Sequence, residues 1–461
     1  MTASLFSVLG TVSEGLMAQQ AGLNVTGQNV ANVNTPGYTE QTAELETQVG
    51  GGVTVTGTSN AFDQFTFGQV LDQSGLKGAA DARSGALSSA QAVVAPTGGG
   101  DIGSELTAFF SSYNALTANP SDPSTRSAVL SQASQLAQSI SGAANGVTQQ
   151  QQSIFSQAQG VATELNGDLA QIAQLNTQIS EATAEGGSAA DLQDQQNVLV
   201  TQVATDVGGQ AIYDSSGAVT ILAAGTSLVS GPNAATVSVG LDATGAMQFT
   251  AAQPDGSAMD VTTGMTGGTL GGLREARDTD MAATASQLDQ FAYSLANAVN
   301  SVQSAGYGLD GVTGRPLFTP PTQVAGAAAG FSVDPSVAGD PDAIAASSTA
   351  TGLPGANDAA VAMAALASEP LGAGGTPAGQ YAAITAQLGA AAQEASSDST
   401  TRAATLTQAQ NLDSSVSGVS LDQENINLTA FQQAFEASTQ VLQATDGLLT
   451  SLMTMMTDAG A

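Results

Sequence analysis

Residues 5–33 read LFSVLGTVSEGLMAQQAGLNVTGQNVANV, and residues 428–456 read LTAFQQAFEASTQVLQATDGLLTSLMTMM. In the first, Leu5, Leu9, Val12, Leu16, Gln19, Leu23, Thr26, Val30 and Val33 recur in alternating steps of four and three. In the second, Leu428, Phe431, Phe435, Ser438, Leu442, Thr445, Leu449, Leu452 and Met456 do the same. That spacing keeps one seam of a helix facing a neighbouring helix. One such stripe is an ordinary amphipathic core helix. Two, at opposite ends of one chain, predict terminal helices that pack as coiled coils and a subunit assembled through its ends.

The rest of the chain is strung between them. A helix over residues 4–33, about 45 Å long, carries Gly10, Gly15, Gly22 and Gly27. Each costs about 1 kcal/mol against Ala, so this helix depends on tertiary partners. Thr35 before Pro36 ends it, Asn34 is expected to take a left-handed cap, and Pro36-Gly37 suits a type II turn. An extended arm then runs from Tyr38 through Val55, and a helical or mixed stretch covers 62–92. Leu106, Phe109, Phe110, Tyr113 and Leu116 form one apolar face. Asp122-Pro123 is a helix start, with long helices to about Glu185. Ile154, Ala158, Val161, Leu165, Ile172, Leu175 and Ile179 make their stripe, interrupted by Asp168, and another helix runs to Val203. From 206 to 267 the period changes to short strands (219–222, 235–241, 247–251) between Asp/Gly turns. Helix returns over 273–302, at 382–395 and over 422–456, with Gly/Pro-rich loops at 306–380. The fold class expected is mainly α: terminal coiled-coil helices, a long-helix bundle and a small inserted β domain. Its divisions fall at 1–90 with 405–461, 91–205 with 268–404, and 206–267.

Composition narrows the function. Of 461 residues, 42% are hydrophobic but only 4% aromatic, so the cores should be Ala-, Leu- and Val-rich helical ones. With 39 acidic against 7 basic residues, the net charge of −32 disfavours nucleic acid and anionic membrane as partners. Residues 1–35 hold a single ionisable side chain, Glu14, so little repulsion opposes packing many copies of that segment. The chain has no Cys and no His, which removes disulfides, thiolate nucleophiles, zinc ligands and the commonest general base. The remaining candidates read as structure: Lys77 as a surface charge, Asp255-Gly256 and Asp310-Gly311 as turns rather than calcium loops, and the 267–272 glycines as no phosphate cradle. No catalytic, cofactor-binding or metal-ligating residue is assigned. No basic residue precedes Lys77 and no run of about 18 apolar residues occurs, so neither a cleaved leader nor a membrane anchor is expected.

The stretch Asn29, Val30, Ala31, Asn32, Val33, Asn34, Thr35, Pro36, Gly37, Tyr38 resembles the N-terminal signature of the axial proteins of the bacterial flagellum. The stretch 417–424 (SGVSLDQE), with Leu428, Phe431, Phe435 and Ala437, is similar to their C-terminal helix. Two internal stretches resemble the hook-associated protein 1 family. They are Phe109-Phe110 through Asn119-Pro120 and Asp122-Pro123 to Arg126, and 271–278 (GGLREARD) with Asn297, Asn300 and Tyr307.

That resemblance implies a structural protein at the hook–filament junction, outside the cell and exported without a cleaved signal. Its terminal helices would form an inner coiled-coil layer of a ring or helical lattice. Partners implied are further copies, the hook protein, a second hook–filament junction protein and a flagellar export chaperone. The chain is short for that family, so an outer domain is expected to be reduced or missing. The alternatives are a hook or distal-rod subunit, which the helical block at 105–205 argues against, and, remotely, a secreted carboxylate-dependent polysaccharide hydrolase or lyase.

Overall fold

A computed structural model describes residues 2–48, 51–95, 100–185, 187–372 and 374–458. Helix α1 (Thr2–Asn32) opens the chain. It closes with Thr35 N–H on Asn32 O (2.8 Å), and Tyr38 N–H on Thr35 O (3.2 Å) makes the next turn, with Gly37 at φ +79°. Asn34 does not take the left-handed conformation expected of it. The early bond from Thr35 to Asn32 closes the helix without it.

The expected single arm is a hairpin, β1 (Gln41–Thr47) and β2 (Val53–Asn60), in register from Gln41↔Asn60 with a bulge between Glu44 and Leu45. Helix α2 (Gln64–Val94) starts at Asp63, whose carboxylate accepts from Phe65 and Thr66 N–H. Helix α3 (Ile102–Ala118) buries its whole predicted face, Leu106, Phe109, Phe110, Tyr113 and Leu116. Helix α4 (Pro123–Ala184) is one 62-residue helix capped by Asp122, about 93 Å long. Its stripe is buried except at Val161, which is half-buried beside the buried Ala162, and where Asp168 falls on it the buried side chain is the adjacent Leu169. Helix α5 (Ala190–Val207) returns along it.

Two small antiparallel sheets follow. One runs β3 (Gln210–Tyr213), β4 (Val219–Ala223), β5 (Thr226–Ser230) and β6 (Asn233–Ala234); the other β7 (Thr236–Leu241), β8 (Met247–Ala252) and β9 (Ala258–Asp260). They hang from α4 by two asparagines. Asn176 donates to Val219 O and accepts from Val219 N–H (2.8 and 2.7 Å), and Asn166 makes the same pair with Val237 (both 2.8 Å). Each side chain stands in for a neighbouring strand, so the β unit is fixed to the bundle.

Helix α6 (Gly268–Glu275) runs through a π-helical turn, Ala276–Met281, into α7 (Ala282–Ala305). Arg83 on α2 grips that turn through Asp280 (2.9 Å). Turns and short 3-10 segments lead to α8 (Asp358–Ala365), then α9 (Pro377–Ser417) and α10 (Leu421–Asp458). Helices α2 and α9 lie antiparallel, tied at Tyr381–Val94 O (2.8 Å), Ser399–Asp81 (2.7 Å) and Thr66–Asp413 (2.8 Å). The core runs continuously from the α3 aromatics, where Phe109 meets Phe110, Tyr113 and the loop residue Phe318, into the sheets. The architecture is mainly α, with long terminal helices and a small β insertion.

Candidate assembly interface

The two ends of the chain meet. Asn29 on α1 bonds Glu424 on α10 (2.8 Å), and seven residues back along α1, Gly22 faces Phe431, seven residues forward along α10. The helices are therefore an antiparallel pair. A methyl group at Gly22 would lie 2.6 Å from the Phe431 ring, so glycine here permits the close approach rather than merely weakening the helix.

Asn29 is the keystone. Its Nδ2 donates to Gln41 O (2.9 Å) and Glu424 Oε1 (2.8 Å); its Oδ1 accepts from Tyr38 Oη (2.8 Å) and Gln41 N–H (3.0 Å). With four bonds the amide is nearly saturated, and one buried side chain joins α1, the Pro-Gly turn, β1 and α10. Asn32 accepts from the Thr35 hydroxyl (3.1 Å) and donates to Gln28 O, closing the helix end. Asn34, Thr35, Pro36 and Gly37 are exposed. At Gly37 a Cβ would approach Val198 Cγ2 on α5 to 2.4 Å, on a backbone already in the left-handed region. Burial and the carboxylates of Asp194, Asp191 and Glu424 push the Tyr38 phenol up to about 12.

The predicted stripes fall as follows. Leu9, Val12, Leu16 and Leu23 on α1 and Val33 just past its end are half-buried, and Val30 is exposed. The deepest packing on α1 lies mostly one residue earlier, at Ala18, Gly22, Val25 and Asn29, with Thr26. On α10, Leu428, Phe431, Leu442, Leu449 and Leu452 are half-buried, Thr445 is buried and Phe435 is 38% exposed. The backbones of Leu5 and Met456 are helical; their side chains lie outside the described residues.

A second stripe went unread in the sequence. Ala434, Ala437, Val441, Ala444, Leu448, Ser451 and Met455 repeat the four–three rhythm one residue ahead of the first, hence rotated by about 100°. Only Ala434 on it is half-covered; Val441, Leu448 and Met455 are 47%, 60% and 65% exposed. On α1, Phe6 and Met17 are likewise open. The signal was present as a shifted copy of the first stripe. So α10 carries two seams and its own chain covers one.

The unit made of α1, the hairpin and α10 meets the bundle through carboxylates. Asp194 on α5 accepts from the Thr39 hydroxyl (2.7 Å), Thr39 N–H (3.3 Å) and Asn60 Nδ2 (2.9 Å), and Asp191 accepts from Gln41 Nε2 (2.8 Å). Burial lifts Asp194 to about 6. Neither aspartate has a sequence signature, because both act across about 130–155 residues of chain.

In the β unit, Asp214, Asp242 and Asp255 each accept from the hydroxyl and N–H two residues on. Those bonds hold the three carboxyls below the usual range. Asp260, which accepts from Thr262 N–H and from Gln248, is held down to about 2. They are turn-formers, not a proton-transfer pair. No helix among the described residues is long and apolar enough to cross a membrane.

Residues 87–318, half of the chain, match the model of the flagellar hook-associated protein FlgK helical domain. The chain belongs to the FlgK family. Its ends match the flagella basal body rod protein model (9–39) and the flagellar basal body rod FlgEFG protein C-terminal model (414–455). Similar relatives named flagellar hook-associated protein 1 occur in Escherichia coli K12 and Bacillus subtilis 168. The first is 26% identical over 97% of this chain and 99% of the relative, the second 27% over 98% and 99%. Against the Salmonella typhimurium LT2 protein the identity is 29% over 68% of this chain, and the match spans 59% of that relative. The flagellar hook junction protein FlgK of Burkholderia pseudomallei shares the fold, with a TM-score of 0.65 and 18% identity over 76% of this chain and 100% of that one.

Proposed function

We propose that this FlgK-family chain is a non-enzymatic structural subunit of the bacterial flagellum, joining hook to filament by packing its terminal helices against those of neighbouring copies. The observation that carries the reading is the second, uncovered seam of α10 beside the covered one. A helix with two adjacent seams is built for neighbours on two sides, and the chain supplies one. In this reading copies of α1 and α10 form the inner wall of a ring or helical lattice, and the bundle and β unit face outward.

Charge supports the division. Among the described residues the ion pairs lie in the bundle or the loops attached to it, at Lys77–Asp81, Arg83–Glu275/Asp280, Arg277–Asp278, Arg315–Asp310 and Arg402–Asp398. Contacts between terminal units therefore rest on apolar burial and backbone-directed hydrogen bonds. The end-on partners in this reading are the hook protein below and a second junction protein above. An export chaperone would cover the apolar α10 stripe before assembly, and export would need no cleaved signal. The protein then resides outside the cell, at the hook–filament junction.

The test is localisation. Gold-labelled antibody against the β unit (210–260) should decorate one narrow band where hook meets filament. Label along the whole hook or the whole filament would overturn the reading.

A further inference from the structure

Two clefts run along α2 beside the β unit. One, of about 320 Å³, has Phe65 and Ile212 in its walls; the other, of about 610 Å³, has Leu76 and Leu222. Both are lined by Asp72 and Gln210, so they join into one trough. Phe65, Ile212, Leu76 and Leu222 are 73%, 48%, 39% and 37% exposed, an apolar patch of the kind that marks an interaction surface. On one wall β3 is the end strand of its sheet and pairs only with β4, so its free edge can take up a further strand.

The Leu76 end of the trough lies beside cations. Asp81 accepts from both Lys77 and Ser399, which places Lys77 on the side of α2 that faces α9. Arg402 lies about one turn past Ser399. Because α2 and α9 are antiparallel and tied at Thr66–Asp413 and Ser399–Asp81, the two cations come to one level. They are the most exposed of the cations in ion pairs, at 34% and 36%. Each is paired along its own helix, with Asp81 and with Asp398. Such surface pairs hold little energy and leave the cation able to meet a second acid.

The hairpin carries the complementary face. Leu45 and Val55 stand opposite each other across β1 and β2 and are 48% and 36% exposed. Glu44 and Glu46, both exposed, flank Leu45, and no Lys or Arg precedes Lys77 to pair them within the terminal unit. The hairpin is also held at both ends in its own subunit. Its base is tied to α5 through Thr39, Asn60 and Asp194, and at its tip the Thr11 hydroxyl of α1 donates to Gly51 O (3.5 Å). Its outer face is therefore free for another molecule.

We propose that the hairpin of one copy docks in the α2/β3 trough of the next, Leu45 and Val55 on the apolar patch and Glu44 and Glu46 toward Lys77 and Arg402. Charge selects a second copy as the occupant: one chain bears both the acid–leucine–acid knob and the leucine–lysine socket. Asp72, the one ionisable side chain lining the trough, sets the direction, because it repels the glutamates toward the Lys77 end. A patch and its complement on different faces of one molecule make a head-to-tail contact, which propagates into a ring or a helix. The contact goes beyond the packing of terminal helices proposed above, since it joins the terminal unit of one copy to the bundle of its neighbour.

The chain lacks cysteine, so two single-cysteine copies expressed together report the contact. One carries Thr47→Cys on the exposed hairpin and the other Gln73→Cys in the trough wall. Assemblies are captured with antibody against the β unit and treated with a short bismaleimide. A cross-linked dimer is expected from the mixed copies and not from either copy alone. Adding Lys77→Glu and Arg402→Glu to the Gln73→Cys copy should lower the dimer yield roughly tenfold. Adding Glu44→Lys and Glu46→Lys to the Thr47→Cys copy should then restore it. No dimer in assemblies that contain both copies, a yield indifferent to charge reversal, or cross-linking of Thr47→Cys to a different protein instead would each overturn the contact. Capture makes the result independent of where the assemblies sit: label away from the hook–filament boundary counts against the junction role alone, and a missing dimer counts against this contact alone.

Discussion

Leu448→Asp should leave the isolated subunit folded and abolish its incorporation. Leu448 is 60% exposed on the uncovered seam of α10. In the free chain the substitution costs only helix propensity, roughly 0.5 kcal/mol. In the proposed wall the same position would be covered by a neighbouring copy. The terminal unit carries no Lys or Arg, since none precedes Lys77 or follows Arg402, so a homotypic contact cannot supply a counter-charge. Burying an unpaired carboxylate costs several kcal/mol per copy, repeated at every contact in the ring. Thermal unfolding of the purified variant should match wild type within about 1 kcal/mol. Electron microscopy of cells expressing only the variant should show bare hooks. Normal filaments on those cells would mean the second seam is not an interface. Phe431→Asp makes the contrast: its ring packs against Gly22 inside the subunit, so that variant should lose the α1/α10 pair before assembly begins.

Asn29→Asp should melt the terminal unit while the bundle stays folded. The substitution replaces the amide donor to Gln41 O and Glu424 Oε1 with a second carboxylate beside a buried one. Two buried acceptors lose their donor and two like charges face each other, a loss of about 3–5 kcal/mol. The four glycines of α1 already cost it about 4 kcal/mol, so a further loss of that size leaves the Gly22–Phe431 packing too little to keep the terminal unit formed. Amide exchange at Gln41 should rise to near the unprotected rate, with protection across α4 unchanged. Acidification should restore part of it, because the introduced carboxyl can donate once protonated. Tyr38→Phe, which removes one of the four bonds, should cost only about 1 kcal/mol. Equal protection in Asn29→Asp and wild type would remove Asn29 from its central place.

What was legible in the sequence is what local chemistry dictates. The Thr35–Tyr38 turn, the Asp122 cap with Pro123, and the Asp214, Asp242 and Asp255 turns are set by residues within four positions of one another, and the structure has them all. The cap of α9 was equally readable: Thr376 before Pro377 starts that helix, where periodicity alone placed its start at 382. The hairpin was not readable, because β1 (QTAELET) is mostly polar with Leu45 exposed, and its one buried side chain, Gln41, is held from α1 and α5. Nor does anything local mark the π-helical turn at Ala276–Met281. It is held by Arg83 from α2 and by Met247 N–H on Asp278. The sequence reading expects long helices up to about Glu185, whereas α4 is one 62-residue helix that runs through Gly142, Gly146, Gly160 and Gly167. A helix packed by the bundle along its length tolerates glycines that a lone helix would not.

The site divides in the same way. Both terminal stripes could be counted off the chain. Which stripe meets which neighbour could not, because it depends on where α10 and the hairpin stand around α1. Asp191 and Asp194 sit in a run that reads only as a polar helix start, and their role appears once Thr39, Gln41 and Asn60 lie beside them.

Deleting the gene and imaging the cell surface by electron microscopy tests the junction role most directly. Hooks of normal length without filaments, with filament subunit shed into the medium, are the predicted result. Intact filaments on cells lacking this chain would contradict it.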